Sequence, residues 1–91
     1  MQSRPKTIMI VKLYSTLRLE YAKSREYDAR NGIAVPLAES VSLRELCTMI
    51  GIDDTLPKFA TADGVIVKDF DVNLSPDVSE VGLHPQAPAG G

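Results

Sequence analysis

Ser42-Leu43-Arg44-Glu45-Leu46-Cys47-Thr48-Met49-Ile50-Gly51 is the stretch that reads most clearly as a helix, and it decides the fold class. Ser42 and Glu45 make a Ser-x-x-Glu pair, in which each side chain satisfies a backbone donor at the helix start. Gly51 supplies the stop, since glycine enters the left-handed conformation that ends a helix without penalty. At 100° per residue, Leu43, Leu46, Cys47 and Ile50 share one face, while Arg44, Glu45 and Thr48 point away. A helix with one apolar face needs an apolar surface to cover, and the segments on either side read mainly as strands. The expectation is an α+β domain with this helix on one face of a sheet.

Upstream, Thr7-Ile8-Met9-Ile10-Val11-Lys12-Leu13-Tyr14 is rich in β-branched and apolar residues and reads as a strand. Met9, Val11 and Leu13 fall on one side, and Ile8, Ile10 and Lys12 on the other. Both sides are apolar at the start, which places this strand inside a sheet rather than at its edge. Residues 1–6 are polar, contain Pro5 and form a loose leader. Over 15–31 the composition is charged; Leu17 and Tyr21 are spaced to share a helix face, and Asn31-Gly32 signals a turn. A short helical turn followed by an exposed loop is expected. Ile33 to Leu37 alternates as a second strand, and Pro36 within it points to an edge or a bulge.

Downstream, 52–58 is a loop. Phe59–Ala62 and Val65–Val67 flank Asp63-Gly64, which supplies the positive φ angles of a tight hairpin. Phe70, Val72 and Leu74 are further core anchors, and Pro76-Asp77 marks a turn. Val78 to His84 is the last strand, with Val81 and Leu83 inward. One domain covers 1–84, and a C-terminal tail covers 85–91.

Composition narrows the function. A chain of 91 residues is one domain with a modest core. A net charge of −2 and a pI near 5.2, with no basic stripe interleaved with aromatics, argue against a nucleic-acid partner. The cluster Lys23, Arg25 and Arg30 is mixed with Glu26 and Asp28 and reads as a solvated face. The single cysteine, Cys47, rules out an internal disulfide or a multi-thiolate metal site, and on its helix face it reads as a small buried hydrophobe. No apolar run reaches the roughly 18 residues of a membrane span, and no signal-peptide pattern precedes Ile8. The expected location is the cytoplasm, with no membrane partner. Paired carboxylates in a cleft, a phosphate loop and a nucleophile with its base are all missing, so a stand-alone enzyme is not expected.

The tail, Pro85-Gln86-Ala87-Pro88-Ala89-Gly90-Gly91, is small and uncharged. It has almost no apolar surface to bury, and its prolines favour extended geometry. Seven extended residues reach roughly 20 Å, far enough to carry the Gly91 carboxylate into a partner. Gly90 and Gly91 would pass a channel that rejects any Cβ atom. Taken alone, Gly-Gly is equally a frayed end, a linker remnant or a cloning scar.

The element order closed by Gly-Gly resembles the MoaD/ThiS family of β-grasp sulfur carriers, relatives of ubiquitin. The likeness spans nearly the whole chain. Val11-Lys12-Leu13-Tyr14-Ser15-Thr16-Leu17-Arg18 looks like the family's first strand and the Thr-Leu-Arg turn after it. Val41-Ser42-Leu43-Arg44-Glu45-Leu46 looks like its helix start. Asp63-Gly64 stands for its Asn-Gly turn, Ser75 to Val81 for the acidic turn before the last strand, and Ala89-Gly90-Gly91 for its closing Ala-Gly-Gly. The chain departs in its longer, more polar Leu83-His84-Pro85-Gln86-Ala87-Pro88 and in the long charged connection from Leu19 to Arg30.

The resemblance implies a β-grasp fold: a mixed sheet of four to five strands packed on one main helix, with a flexible C-terminal tail. It also implies a chemistry. An E1-like adenylating enzyme, using ATP and magnesium, activates Gly91. A persulfide donor converts it to a thiocarboxylate, and a larger synthase subunit receives the tail. The chain itself binds no cofactor and no metal. Gly91 is the reacting residue, with Gly90 beside it, and Leu83, His84 and Pro85 near the tail exit are candidate docking residues, His84 being expected exposed and uncommitted. The molybdopterin branch is favoured over the thiamine-thiazole branch, whose carriers are generally shorter. Two alternatives stay open: a ubiquitin-like modifier joined to lysines through Gly91, and a binding module whose tail is incidental.

Overall fold

The computed structural model describes residues 7–23 and 25–85. The leader expected over 1–6, and all of the tail beyond Pro85, including Gly90 and Gly91, lie outside the described residues.

Among the described residues, seven strands and two helices run in the order β1 (Thr7–Leu13), α1 (Thr16–Ala22), β2 (Ile33–Leu37), β3 (Val41–Ser42), α2 (Leu43–Ile50), β4 (Phe59–Ala62), β5 (Val65–Val67), β6 (Asn73–Leu74) and β7 (Glu80–His84). Five strands form one mixed sheet in the spatial order β2-β1-β7-β4-β5. β1 and β7 run parallel, and the other neighbours are antiparallel. The fold is therefore α+β, and β1 is interior as its apolar start suggested. β2 is an edge strand, which is where Pro36 does least harm. A second, two-stranded sheet pairs β3 with β6; neither strand stands out in the sequence, because two residues are too few to show a period.

Helix α2 follows its local signals closely. The Ser42 hydroxyl accepts the Glu45 N–H at 3.1 Å, and the Glu45 carboxylate accepts the Ser42 N–H at 3.1 Å. Gly51 closes the helix at φ +87°, donating its N–H to Cys47 and Thr48. Leu43, Leu46, Cys47 and Ile50 are all buried. They pack into one core with Met9, Val11 and Leu13 of β1, Val35 and Leu37 of β2, Ala60 and Ala62 of β4, and Val81 and Leu83 of β7. Helix α1 adds Leu17 and Tyr21 to the same core.

The connection after α1 is tied back to the sheet. The Tyr27 hydroxyl accepts the Leu13 N–H at 2.9 Å, at the point where β1 outruns its pairing with β2. Asp63 and Gly64 form the hairpin turn at φ +49° and +89°. The Asp63 carboxylate also accepts the N–H groups of Ser79 and Glu80, at 3.1 and 2.9 Å, and so pins the entry of β7. For that reason β7 begins at Glu80 rather than at Val78: residues 75–79 make a turn, with the Val78 N–H donating to the Ser75 carbonyl.

Phe70 and Leu74 are core residues, but Val72, expected inward with them, is 46% exposed. The alternation fails because 69–72 is a turn held by the Asp69 carboxylate and carbonyl, not a strand. No helix of the described residues is long and apolar enough to cross a membrane.

Candidate functional site

The candidate site is the end of β7, from which the chain passes to residues 85–91. Its location follows from the sheet order. β7 is the central strand, so its end lies between the end of β1 and the start of β4. Two backbone hydrogen bonds hold it there. The Tyr14 N–H donates to the Leu83 carbonyl at 3.2 Å, and the Lys58 N–H donates to the His84 carbonyl at 2.7 Å.

Strand alternation sorts the side chains. Leu83 points into the core and is 0% exposed. This corrects its assignment as a docking residue, because a side chain with no accessible surface cannot touch a partner. His84 points to the opposite, outer face of the sheet. It is not exposed and uncommitted as the sequence suggested: its ring lies between two aromatic rings. The Tyr14 centroid is 4.5 Å away with the planes 3° apart, and the Phe59 centroid is 4.4 Å away with the planes 6° apart. Pro85 is half-buried.

Stacking covers both faces of the imidazole, and the residue is half-buried. Nε2 of His84 is closed to solvent and has no hydrogen-bond partner among the described residues. Burial holds the His84 pKa below its ordinary 6.5, since removing water disfavours the charged form. Gly82, one register position up the same face, makes the close packing possible. A Cβ there would lie 2.8 Å from Tyr14 Cε2, 2.8 Å from Thr61 Oγ1 and 3.3 Å from His84 Nε2.

The rest of the outer face is largely apolar. Ile8 and Tyr14 of the first strand and its extension, and Ile66 of β5, are exposed hydrophobic side chains, and Ala34 and Pro36 of β2 are exposed beside them. The Lys12 and Glu80 side chains meet across the β1–β7 pair at 3.7 Å and compensate each other. Such a face loses little polar hydration when covered by another protein.

Tyr14 and Phe59 are the members of this site that sequence reasoning missed as partners of His84. Aromatic residues at strand ends are a visible signal, but only the register brings positions 14, 59 and 84 together. Cys47 does not belong to the site. It is fully buried, and burial pushes its thiol up to about 11, so it is inert as a nucleophile. Among the described residues no group of three or more His, Cys, Asp or Glu side chains is arranged to hold a metal ion. Comparison of the chain with protein-family models, with curated proteins and with solved structures finds no match in any of the three.

Proposed function

We propose that this protein is a β-grasp sulfur carrier whose reactive group is the carboxylate of Gly91. The observation that carries the reading is the placement of β7. The strand that leads toward Ala89-Gly90-Gly91 is the doubly paired centre of the sheet, so the segment after it starts from a rigid base. A mixed five-stranded sheet with one face covered by α2 agrees with the β-grasp expectation.

The chemistry needs little from the globule. A carboxylate is a poor electrophile because resonance stabilises it. An E1-like enzyme with ATP and magnesium overcomes this: the Gly91 carboxylate attacks the α-phosphate, pyrophosphate leaves, and an acyl-adenylate forms. The outer sulfur of a persulfide donor (R–S–SH) then attacks the acyl carbon and AMP leaves; a thiol attacks the donor's inner sulfur in the resulting acyl disulfide, forms a disulfide with it, and leaves the thiocarboxylate on Gly91. Activation splits one hard substitution into two easier ones. Gly90 and Gly91 keep side chains away from the reacting carbon. In the molybdopterin branch, the favoured one, a larger synthase subunit then accepts the tail and its sulfur.

The grip for these partners is the apolar outer face. Tyr14, His84 and Ile66, with Pro85 at its margin, form this grip in place of the buried Leu83.

The test is activation in vitro. The protein, an E1-like adenylating enzyme of the molybdopterin pathway, ATP and magnesium should give Gly91-dependent exchange of pyrophosphate into ATP. Removal of Gly90 and Gly91 should abolish it. Equal activity in the truncated chain would leave the tail incidental and favour a plain binding module. Lysine conjugates through Gly91 in an extract would favour the modifier reading instead.

A further inference from the structure

We propose that His84 is an acid-sensitive latch: its neutral ring, clamped between Tyr14 and Phe59, closes the end of β7, and protonation opens the clamp and frays that end. The proposal stands on the ring geometry and is independent of the sulfur-carrier reading.

A neutral imidazole has one N–H and one bare nitrogen, whereas an imidazolium has N–H groups on both. The tautomer with its proton on Nδ1 leaves only a lone pair at Nε2, which costs little in a dry space. Protonation would put a charged N–H there, and Nε2 is closed to solvent and has no acceptor among the described residues. Two ring faces attract a cation, which opposes this effect. In the stacked position Nε2 is closed to solvent, so the attraction is obtained only with that end of the charge unsolvated.

Among the described residues, the neighbouring charges do not rescue the imidazolium. On β7 the outer-face carboxylate is Glu80, and it is engaged by Lys12 of β1 at 3.7 Å. On β4 the ring meets Phe59 and, near Gly82, the neutral Thr61 hydroxyl, while Lys58 precedes Phe59 as an exposed cation. From the β1 side it meets the neutral Tyr14 phenol. Burial moves the ring's titration below its ordinary value, in the direction the geometry requires.

The consequence is mechanical. The residues that supply the three rings, or adjoin them, also make the last two hydrogen bonds of β7, Tyr14 N–H to Leu83 and Lys58 N–H to His84. If Tyr14 or Phe59 swings aside to let water reach His84, those two bonds lose their cover.

The experiment is an NMR titration of the full chain from about pH 8 to about pH 4, which brackets histidine ionisation. It follows the His84 ring, the ring-current shifts of Tyr14 and Phe59, and the exchange protection factors of the Tyr14 and Lys58 amides. The expected result is titration of His84 below 6.5. Loss of stacking shifts at the same midpoint is expected with it, as is a fall of at least about tenfold in protection at the two amides while Val11 stays protected. In Tyr14→Ala, His84 should titrate closer to 6.5, with no coupled change at Lys58. Titration of His84 at or above 6.5, or a stack and amides that persist through protonation, would overturn the latch.

Discussion

The Tyr14 ring occupies the space that any side chain on Gly82 would need: a Cβ at position 82 would lie 2.8 Å from Tyr14 Cε2. Gly82→Ala must therefore displace the ring, and Thr61 and His84 with it. Overpacking of this kind costs about 1–3 kcal/mol. In urea unfolding, Gly82→Ala should lower the midpoint without changing the slope. Adding Tyr14→Ala to Gly82→Ala should cost less than the sum of the two single changes, because the clash is then relieved.

Tyr27→Phe removes both hydrogen bonds of the hydroxyl to the Leu13 backbone, the longer one donated to the Leu13 carbonyl at 3.4 Å. The hydroxyl accepts the Leu13 N–H at 2.9 Å in a half-buried position where β2 no longer reaches β1. Removing it leaves a backbone donor unpaired, at a cost of about 1–2 kcal/mol. The ring itself stays packed edge-on against Tyr21, so Tyr27→Leu should cost more than Tyr27→Phe in the same unfolding assay.

Ser42→Ala removes the α2 cap. Both bonds of the capping box pass through Ser42, one to its side chain and one to its backbone N–H. The side-chain loss should cost about 1 kcal/mol. Glu45→Gln should be milder than Glu45→Ala, because an amide oxygen can still accept the Ser42 N–H.

Cys47 gives a pH prediction. Burial is the main cause that pushes its thiol up to about 11, with Asp54 adding to it. The folded state thus disfavours the thiolate, which the unfolded chain forms from about pH 8.5. The Cys47 contribution to stability should be intact below that pH and decline as pH rises from there toward about 11. Native protein at neutral pH should resist thiol alkylation, and urea should expose a single reactive group per chain.

What was legible in the sequence was local. The Ser42–Glu45 box, the Gly51 stop and the Asp63-Gly64 turn each act within a few residues, so their residue types alone announce them. The inward sets Met9-Val11-Leu13 and Val81-Leu83 follow from a period of two. What was not legible depends on pairing across the chain. The spacing of Phe70, Val72 and Leu74 suggests an alternation that the Asp69 turn interrupts. Leu83 and His84 are neighbours in sequence, yet adjacent strand residues face opposite sides, and one lies in the core while the other lies in a ring stack. That stack exists only because β7 pairs with β1 on one side and β4 on the other.

The most direct measurement is intact-protein mass spectrometry after incubation in an extract of the native cells with ATP, magnesium and cysteine as the sulfur source. A sulfur-carrier role predicts a species in which one carboxylate oxygen of Gly91 is replaced by sulfur, absent when Gly90 and Gly91 are deleted. A Gly91 carboxylate that stays unmodified under those conditions would contradict it.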